Sequence, residues 1–126
     1  MKIQESAENY LETVYMLKEK NGFVRSIDIA HELNFSKASV SVAMKSLREA
    51  GYVMVDEDGG IILTETGLAV AQTMYERHEL IASVLISLGV DKETAYEDSC
   101  KIEHVISSAT FEKIKEYVEK QNQSHE

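Results

Sequence analysis

The sequence runs to 126 residues, 44% hydrophobic and 28% charged, with six glycines and no proline. That size suits one compact domain or two small halves sharing a core, and the absence of proline excludes rigid proline linkers and favours helices. The net charge of −9 speaks against phosphate contact over the chain as a whole, but residues 25–50 carry four cations against three carboxylates, a net +1, which leaves −10 on the rest.

Ala7, Tyr10, Leu11, Val14, Tyr15 and Leu17 recur at helical spacing, which predicts a helix over 6–20. Asn21-Gly22 ends it, since both residues tolerate left-handed backbone. Ser26 is read as the N-cap of a short helix over 27–33, with Ile27, Ile29, Ala30 and Leu33 inward. Asn34-Phe35 makes a turn. Ser36 then caps a second helix over 37–50, whose inward face is Val40, Ala43, Met44 and Leu47 and whose end is Ala50-Gly51. Two short helices joined by such a turn form a helix-turn-helix. Tyr52-Val53-Met54-Val55 and Ile61-Ile62-Leu63 are strand-prone and flank the turn Asp56-Glu57-Asp58-Gly59-Gly60, which predicts a hairpin. A hairpin directly after a helix-turn-helix is the layout of a winged helix. Thr64 caps a long helix over 65–88 that Gly89 ends, Asp91 caps another over 92–107, and a last helix covers 110–120. The expected fold is mainly α, with a winged helix-turn-helix domain over 1–64 and an all-helical domain over 65–126.

A single cysteine, Cys100, excludes an intramolecular disulfide and points to a reducing compartment. Met1-Lys2-Ile3-Gln4-Glu5 leads into no apolar run, so no signal peptide is expected, and no stretch approaches the ~20 apolar residues of a membrane span. The expected location is the cytoplasm.

The helix over 37–50 is the candidate recognition helix. Ser36, Lys37, Ala38, Ser39, Ser41 and Val42 face outward near its start, with Lys45 one turn on. Serine can meet a base edge or a phosphate, while alanine and valine can meet a thymine methyl. Lys37, Lys45 and Arg48 can neutralise phosphates, and Arg25 belongs to the same basic stretch. The acidic wing turn is a poor phosphate binder. A generic helical hairpin with a solvated polar face is the plainer alternative, and the hairpin at the expected place argues against it.

Cys100-Lys101-Ile102-Glu103-His104 is the most informative stretch. On a helix, positions 100, 103 and 104 share one face and present a thiolate, a carboxylate and an imidazole together. Sulfur and nitrogen donors suit first-row transition metals and disfavour magnesium or calcium. His78 on the long helix adds an imidazole, and Asn9 and Glu12, one turn apart on the first helix, add oxygen donors. Taken singly, each has a duller reading: a lone cysteine as a small buried hydrophobe, Glu103 and His78 as surface polar groups. Cys100 and His104 could also form a nucleophile–base pair. No Gly-rich loop follows to supply an oxyanion site, however, so no enzymatic activity is expected.

Several stretches resemble the DtxR/MntR family of iron- and manganese-dependent repressors, in a short form lacking the SH3-like domain of longer members. They are Glu8 to Tyr15, Asp28-Ile29-Ala30, Ser39-Val40-Ser41, Leu63 to Gly67, Arg77-His78-Glu79-Leu80 and Cys100 to His104. The resemblance implies a metal-binding and dimerisation domain after the winged helix, metal at the junction of the two, and a homodimer that binds a palindromic operator in double-stranded DNA. It maps the ligand positions to Asn9, Glu12, His78, Cys100, Glu103 and His104. The set is a hybrid. The manganese branch has an acid in place of Asn9 and a glutamate in place of Cys100, whereas the iron branch shares the cysteine but has methionine for Asn9. Its ancillary-site acid and histidine fall on Ala82 and Tyr96, which cannot serve in the same way. Fe(II) is the expected metal and Mn(II) the second, with Zn(II), Co(II) or Ni(II) binding in vitro. The competing readings are a winged-helix regulator that answers to a non-metal effector and a metal-buffering protein that binds no DNA.

Overall fold

The computed structural model describes residues 5–124. Its elements are α1 (Glu5–Asn21), α2 (Ser26–Leu33), α3 (Lys37–Glu49), β1 (Val53–Val55), β2 (Ile61–Leu63), α4 (Glu65–Ser87), α5 (Lys92–Ile102) and α6 (Ser108–Ser124). Contacts divide the chain into two compact units, Met1–Thr73 and Met74–Glu126, so the division falls inside α4.

The first unit is a winged helix-turn-helix. Tyr10, Leu11, Val14 and Leu17 form the apolar face of α1 and pack with Val24, Ile29, Ala30, Val40, Met44, Leu47, Val53, Ile61 and Ala71. These are the inward positions that helical and strand periodicity dictate. α2 starts one residue earlier than its sequence suggests. Arg25, in extended backbone, is the N-cap, and its N–H donates to the Asp28 carboxylate at 2.9 Å, so Ser26 is the first helical residue and not the cap. The acid three residues in satisfies the cap's own N–H, as one half of a capping box does. Asn34 closes α2 in the left-handed region at φ 57°, with its N–H directed to the Ala30 and His31 carbonyls. That is the tight turn a helix-turn-helix requires. Ser36 caps α3, accepting the Ser39 N–H at 3.1 Å.

The wing is an antiparallel pair with Val53 opposite Leu63, Met54 opposite Ile62 and Val55 opposite Ile61. Asp56 organises its tip, its carboxylate accepting N–H groups of Asp58 at 2.9 Å and Gly60 at 2.8 Å. Thr64 then joins wing to helix. Its hydroxyl donates to the Gly51 carbonyl at 2.6 Å and accepts the Gly67 N–H at 3.1 Å, which caps α4. Gly67 lies directly on the Tyr52 carbonyl, where any β-carbon would collide with main chain.

The second unit is all helical. Met74, Ile81, Ala82, Ala95 and Phe111 are its buried apolar residues. Asp91 caps α5 by accepting the Thr94 N–H at 3.1 Å, and that bond holds its carboxyl below the usual value. α5 stops at Ile102, five residues short of the end that periodicity suggests. The reason lies downstream. Ser107 accepts the Thr110 N–H at 3.1 Å and so starts α6, and residues 103–106 become the turn between the two helices. Among the described residues no helix is long and apolar enough to cross a membrane.

Candidate metal centre and nucleic-acid interface

Glu103 is the centre of the second unit's polar chemistry. It caps the C-terminal end of α5 and is 0% exposed. His78, from α4, brings Nδ1 to 3.2 Å from Glu103 Oε2, and His104, in the following turn, brings Nε2 to 3.1 Å from Oε1. A wholly buried carboxylate is costly unless cations or donors surround it. Two imidazoles can do this in either of two ways. Protonated, they are ion-pair partners; neutral, they are fellow ligands of a cation. His78 Nδ1 is close to the carboxylate without hydrogen-bond geometry.

Cys100 stands on the last turn of α5. The donor atoms of Cys100, Glu103 and His104 all lie within 4.8 Å of one another. Donors bound to one first-row ion at about 2.0–2.3 Å lie up to about 4.6 Å apart, so side chains this close can reach a shared ion with small rotamer changes. The residues present therefore fit a transition metal: thiol, carboxylate and imidazole within five positions, with a second imidazole on the same carboxylate. The expectation that 100, 103 and 104 present one face is met with a change of local structure, since Glu103 and His104 lie at the cap and in the turn rather than within a longer helix.

The groups that hold this cluster escape sequence reasoning. Arg77 donates to the main-chain carbonyls of Glu103 at 3.2 Å and Ile106 at 3.4 Å and to the Ser108 hydroxyl at 3.0 Å, with its guanidinium 5.3 Å from the Phe111 ring centre. It thereby ties the turn bearing Glu103 and His104 to α4. Ser99, fully buried, donates to the His78 carbonyl and fixes α5 against α4 at the same level. Tyr96 stacks near His78, with ring centres 5.3 Å apart, and donates its hydroxyl to Glu79 at 2.9 Å. That bond raises the phenol above its ordinary pKa. The charged flanks of His78 were the only available signal, and they gave no direction.

Asn9 and Glu12, the remaining sequence candidates, belong to the first unit. They stand one turn apart on α1, Glu12 buried and Asn9 half-buried.

The DNA-facing candidates are all exposed: Arg25 at the start of α2, Ser36 at the cap of α3, and Lys37, Ala38, Ser39, Ser41, Val42 and Lys45 along α3. One of them is less available than its exposure suggests. Ser36 donates its hydroxyl to the Ser39 hydroxyl at 2.9 Å while accepting the Ser39 N–H.

Winged helix and donor cluster together define a class, that of winged-helix transcriptional regulators carrying a metal-binding module. Comparison with known proteins agrees. Residues 2–61 match the iron dependent repressor N-terminal DNA-binding domain, and residues 64–125 match the iron dependent repressor metal-binding and dimerisation domain. An HTH-type transcriptional regulator of Methanocaldococcus jannaschii is 36% identical over 120 residues, covering 94% of this chain and 96% of that one. The HTH-type transcriptional regulator MntR of Bacillus subtilis is 34% identical over 114 residues, covering 90% of this chain and 80% of that one. The structure of the manganese regulator SloR superposes with a TM-score of 0.79 at 27% identity over 94% of this chain, which spans 55% of that chain's length. The chain belongs to the DtxR/MntR family of metal-dependent transcriptional repressors. The family is one of DNA-binding regulators and not of enzymes.

Proposed function

We propose that the chain is a repressor activated by a divalent transition metal bound through His78, Cys100, Glu103 and His104, with Glu12 and Asn9 completing the set from α1. In this reading the metallated homodimer binds a palindromic operator in the cytoplasm through α3. The observation that carries it is the buried Glu103 carboxylate held between two imidazoles with a thiol in reach. A bound dication supplies the positive charge that three anions, Glu12, Cys100 thiolate and Glu103, require to stay together. The chain's own part is positional. Arg77 and Ser99 hold the four donors of the second unit, and in this reading Glu12 would join them from α1, which would link occupancy of the site to the state of α1. A protein that binds DNA better when metallated must bind metal better when on DNA, by the same factor.

The Cys100 thiolate favours Fe(II), the softer choice, as the physiological metal. Mn(II) is the second reading, favoured by similar solved structures whose descriptions name manganese. Zn(II), Co(II) or Ni(II) would bind in vitro, because affinity follows the Irving–Williams order rather than biological use. The exposed Ile86 and Leu88 at the end of α4 offer apolar surface for a second copy.

The test is anaerobic titration of Fe(II) and Mn(II) into the wild-type protein, Cys100→Ala and His104→Ala while operator binding is followed. Activation in the wild type and its loss in both variants is expected. Equal operator affinity in chelator and in metal would overturn the proposal and leave a regulator answering to a non-metal effector.

A further inference from the structure

Val42 is the anomaly of the DNA-facing surface. It is 67% exposed, among the most exposed large apolar residues of the described chain, and it stands on the outward face of a helix whose other outward residues are small or charged. Ala38, Ser41, Val42 and Lys45 recur at spacings of three and four, so they share one face of α3, opposite the buried Val40, Met44 and Leu47. Lys37 and Lys45 frame that face with positive charge.

The face is poor in the usual base readers. Residues 36–45 contain no Arg, Asn or Gln, and of the side chains that bond guanine or adenine edges they hold only Lys37 and Lys45 at the margins of the face. Ser36 spends its hydroxyl on Ser39 and on the helix cap, while Ser39 accepts that bond and keeps its own O–H to donate. What stands outward to meet a base edge is the Ser39 and Ser41 hydroxyls, the Lys37 and Lys45 ammoniums and the methyl groups of Ala38 and Val42, of which Val42 offers the largest apolar surface. In the major groove the only base-borne apolar group of unmodified DNA is the thymine C5-methyl.

We propose that Val42 is the main specificity-determining residue of the interface and that it reads thymine C5-methyl groups. The half-site then owes its sequence to the placement of thymines rather than to guanines. This rests on the reading of α3 as the recognition helix. Lys37 and Lys45 supply affinity through phosphates on either side and add no sequence information. Because Val42 is exposed and outside the core, its substitution tests recognition without disturbing the fold.

The experiment uses the full chain saturated with Mn(II) and a pool of random-sequence duplexes, from which bound sequences are selected. Each thymine of the selected half-site is then replaced singly by deoxyuridine, which removes only the methyl. At least one replacement is expected to weaken binding about fourfold, the value of one buried methyl-sized group. The same replacement in Val42→Ala should cost nothing further. Selected sites without a shared thymine, or uniform indifference to deoxyuridine, would overturn the assignment of Val42 while leaving α3 as the DNA-reading element. A uracil effect that persists undiminished in Val42→Ala would also overturn it. Failure to enrich any sequence would sink the recognition-helix reading itself, and this inference with it.

Discussion

Arg77 donates to the main-chain carbonyl of Glu103 at 3.2 Å, from a helix that contributes its very next residue, His78, to the same carboxylate. One helical turn thus grips the candidate metal centre twice, by main chain and by side chain. Arg77→Ala should therefore weaken metal binding by roughly 10- to 100-fold, the usual cost of losing a group that orients ligands. It should also cost roughly 2–3 kcal/mol of stability, since charge-assisted bonds to buried carbonyls are lost. Lysine should not restore the site, because a single ammonium cannot reach two carbonyls and a hydroxyl in a fixed fork. Calorimetric metal titration and urea unfolding of both variants check this.

Glu103→Gln keeps the shape of the site and removes its charge. Addition of Mn(II) at 100 times its dissociation constant should stabilise the wild type by about 2.7 kcal/mol. The glutamine variant should show no such gain, while its metal-free stability should match or exceed that of the wild type, because a buried charge has been removed. Thermal unfolding with and without metal reads both. A metal-induced shift that survives in Glu103→Gln would move the site elsewhere.

Acidification should release the metal. Cysteine, histidine and glutamate bind as thiolate, neutral imidazole and carboxylate, so each proton taken up competes with the ion. Affinity should fall with decreasing pH and fall less steeply in Cys100→Ala, which has one proton fewer to exchange. Titrations at several pH values measure the slope.

Lys45→Ala should weaken DNA binding evenly across sequences and reduce the salt dependence of binding by about one unit of slope, as the loss of a phosphate contact does. Lys37→Ala should behave alike. An unchanged slope in both would remove α3 from the DNA backbone.

Gly67→Ala should destabilise the first unit by roughly 1–3 kcal/mol, since a β-carbon meets the Tyr52 main chain and forces backbone to move. The comparison is urea unfolding of the variant against the wild type.

The sequence carried the winged helix well, because each of its elements is announced locally. Periodicity marks α1 and α3, Ser36 and Thr64 are true caps, and an acidic glycine turn separates two strand-prone runs. The candidate donors of the second unit are close in sequence for a similar reason, lying within five positions plus one histidine. What was not legible depends on contacts between distant residues. Nothing near Arg77 in sequence announces that its guanidinium reaches a turn 26 positions on. Nor could periodicity separate a helix that runs to 107 from one that stops at Ile102, since Ser107 acts as the cap of the next helix and competes for the same backbone. The Ser36–Ser39 hydroxyl bond likewise turns one apparent base reader, Ser36, into a structural cap.

The turn that ends α5 gives the donor set an unusual economy. Cys100, Glu103 and His104 come from one short segment, so bringing them together closes almost no loop and costs little chain entropy. Within the second unit only His78 has to be recruited from afar. A centre written in so few consecutive letters is easy for evolution to edit: exchanging the half-buried Cys100 retunes the hardness of the donors while the cap, the turn and the Arg77 grip stay as they are. If the proposed donor set holds the ion, metal preference can shift at Cys100 while the frame around it stays fixed.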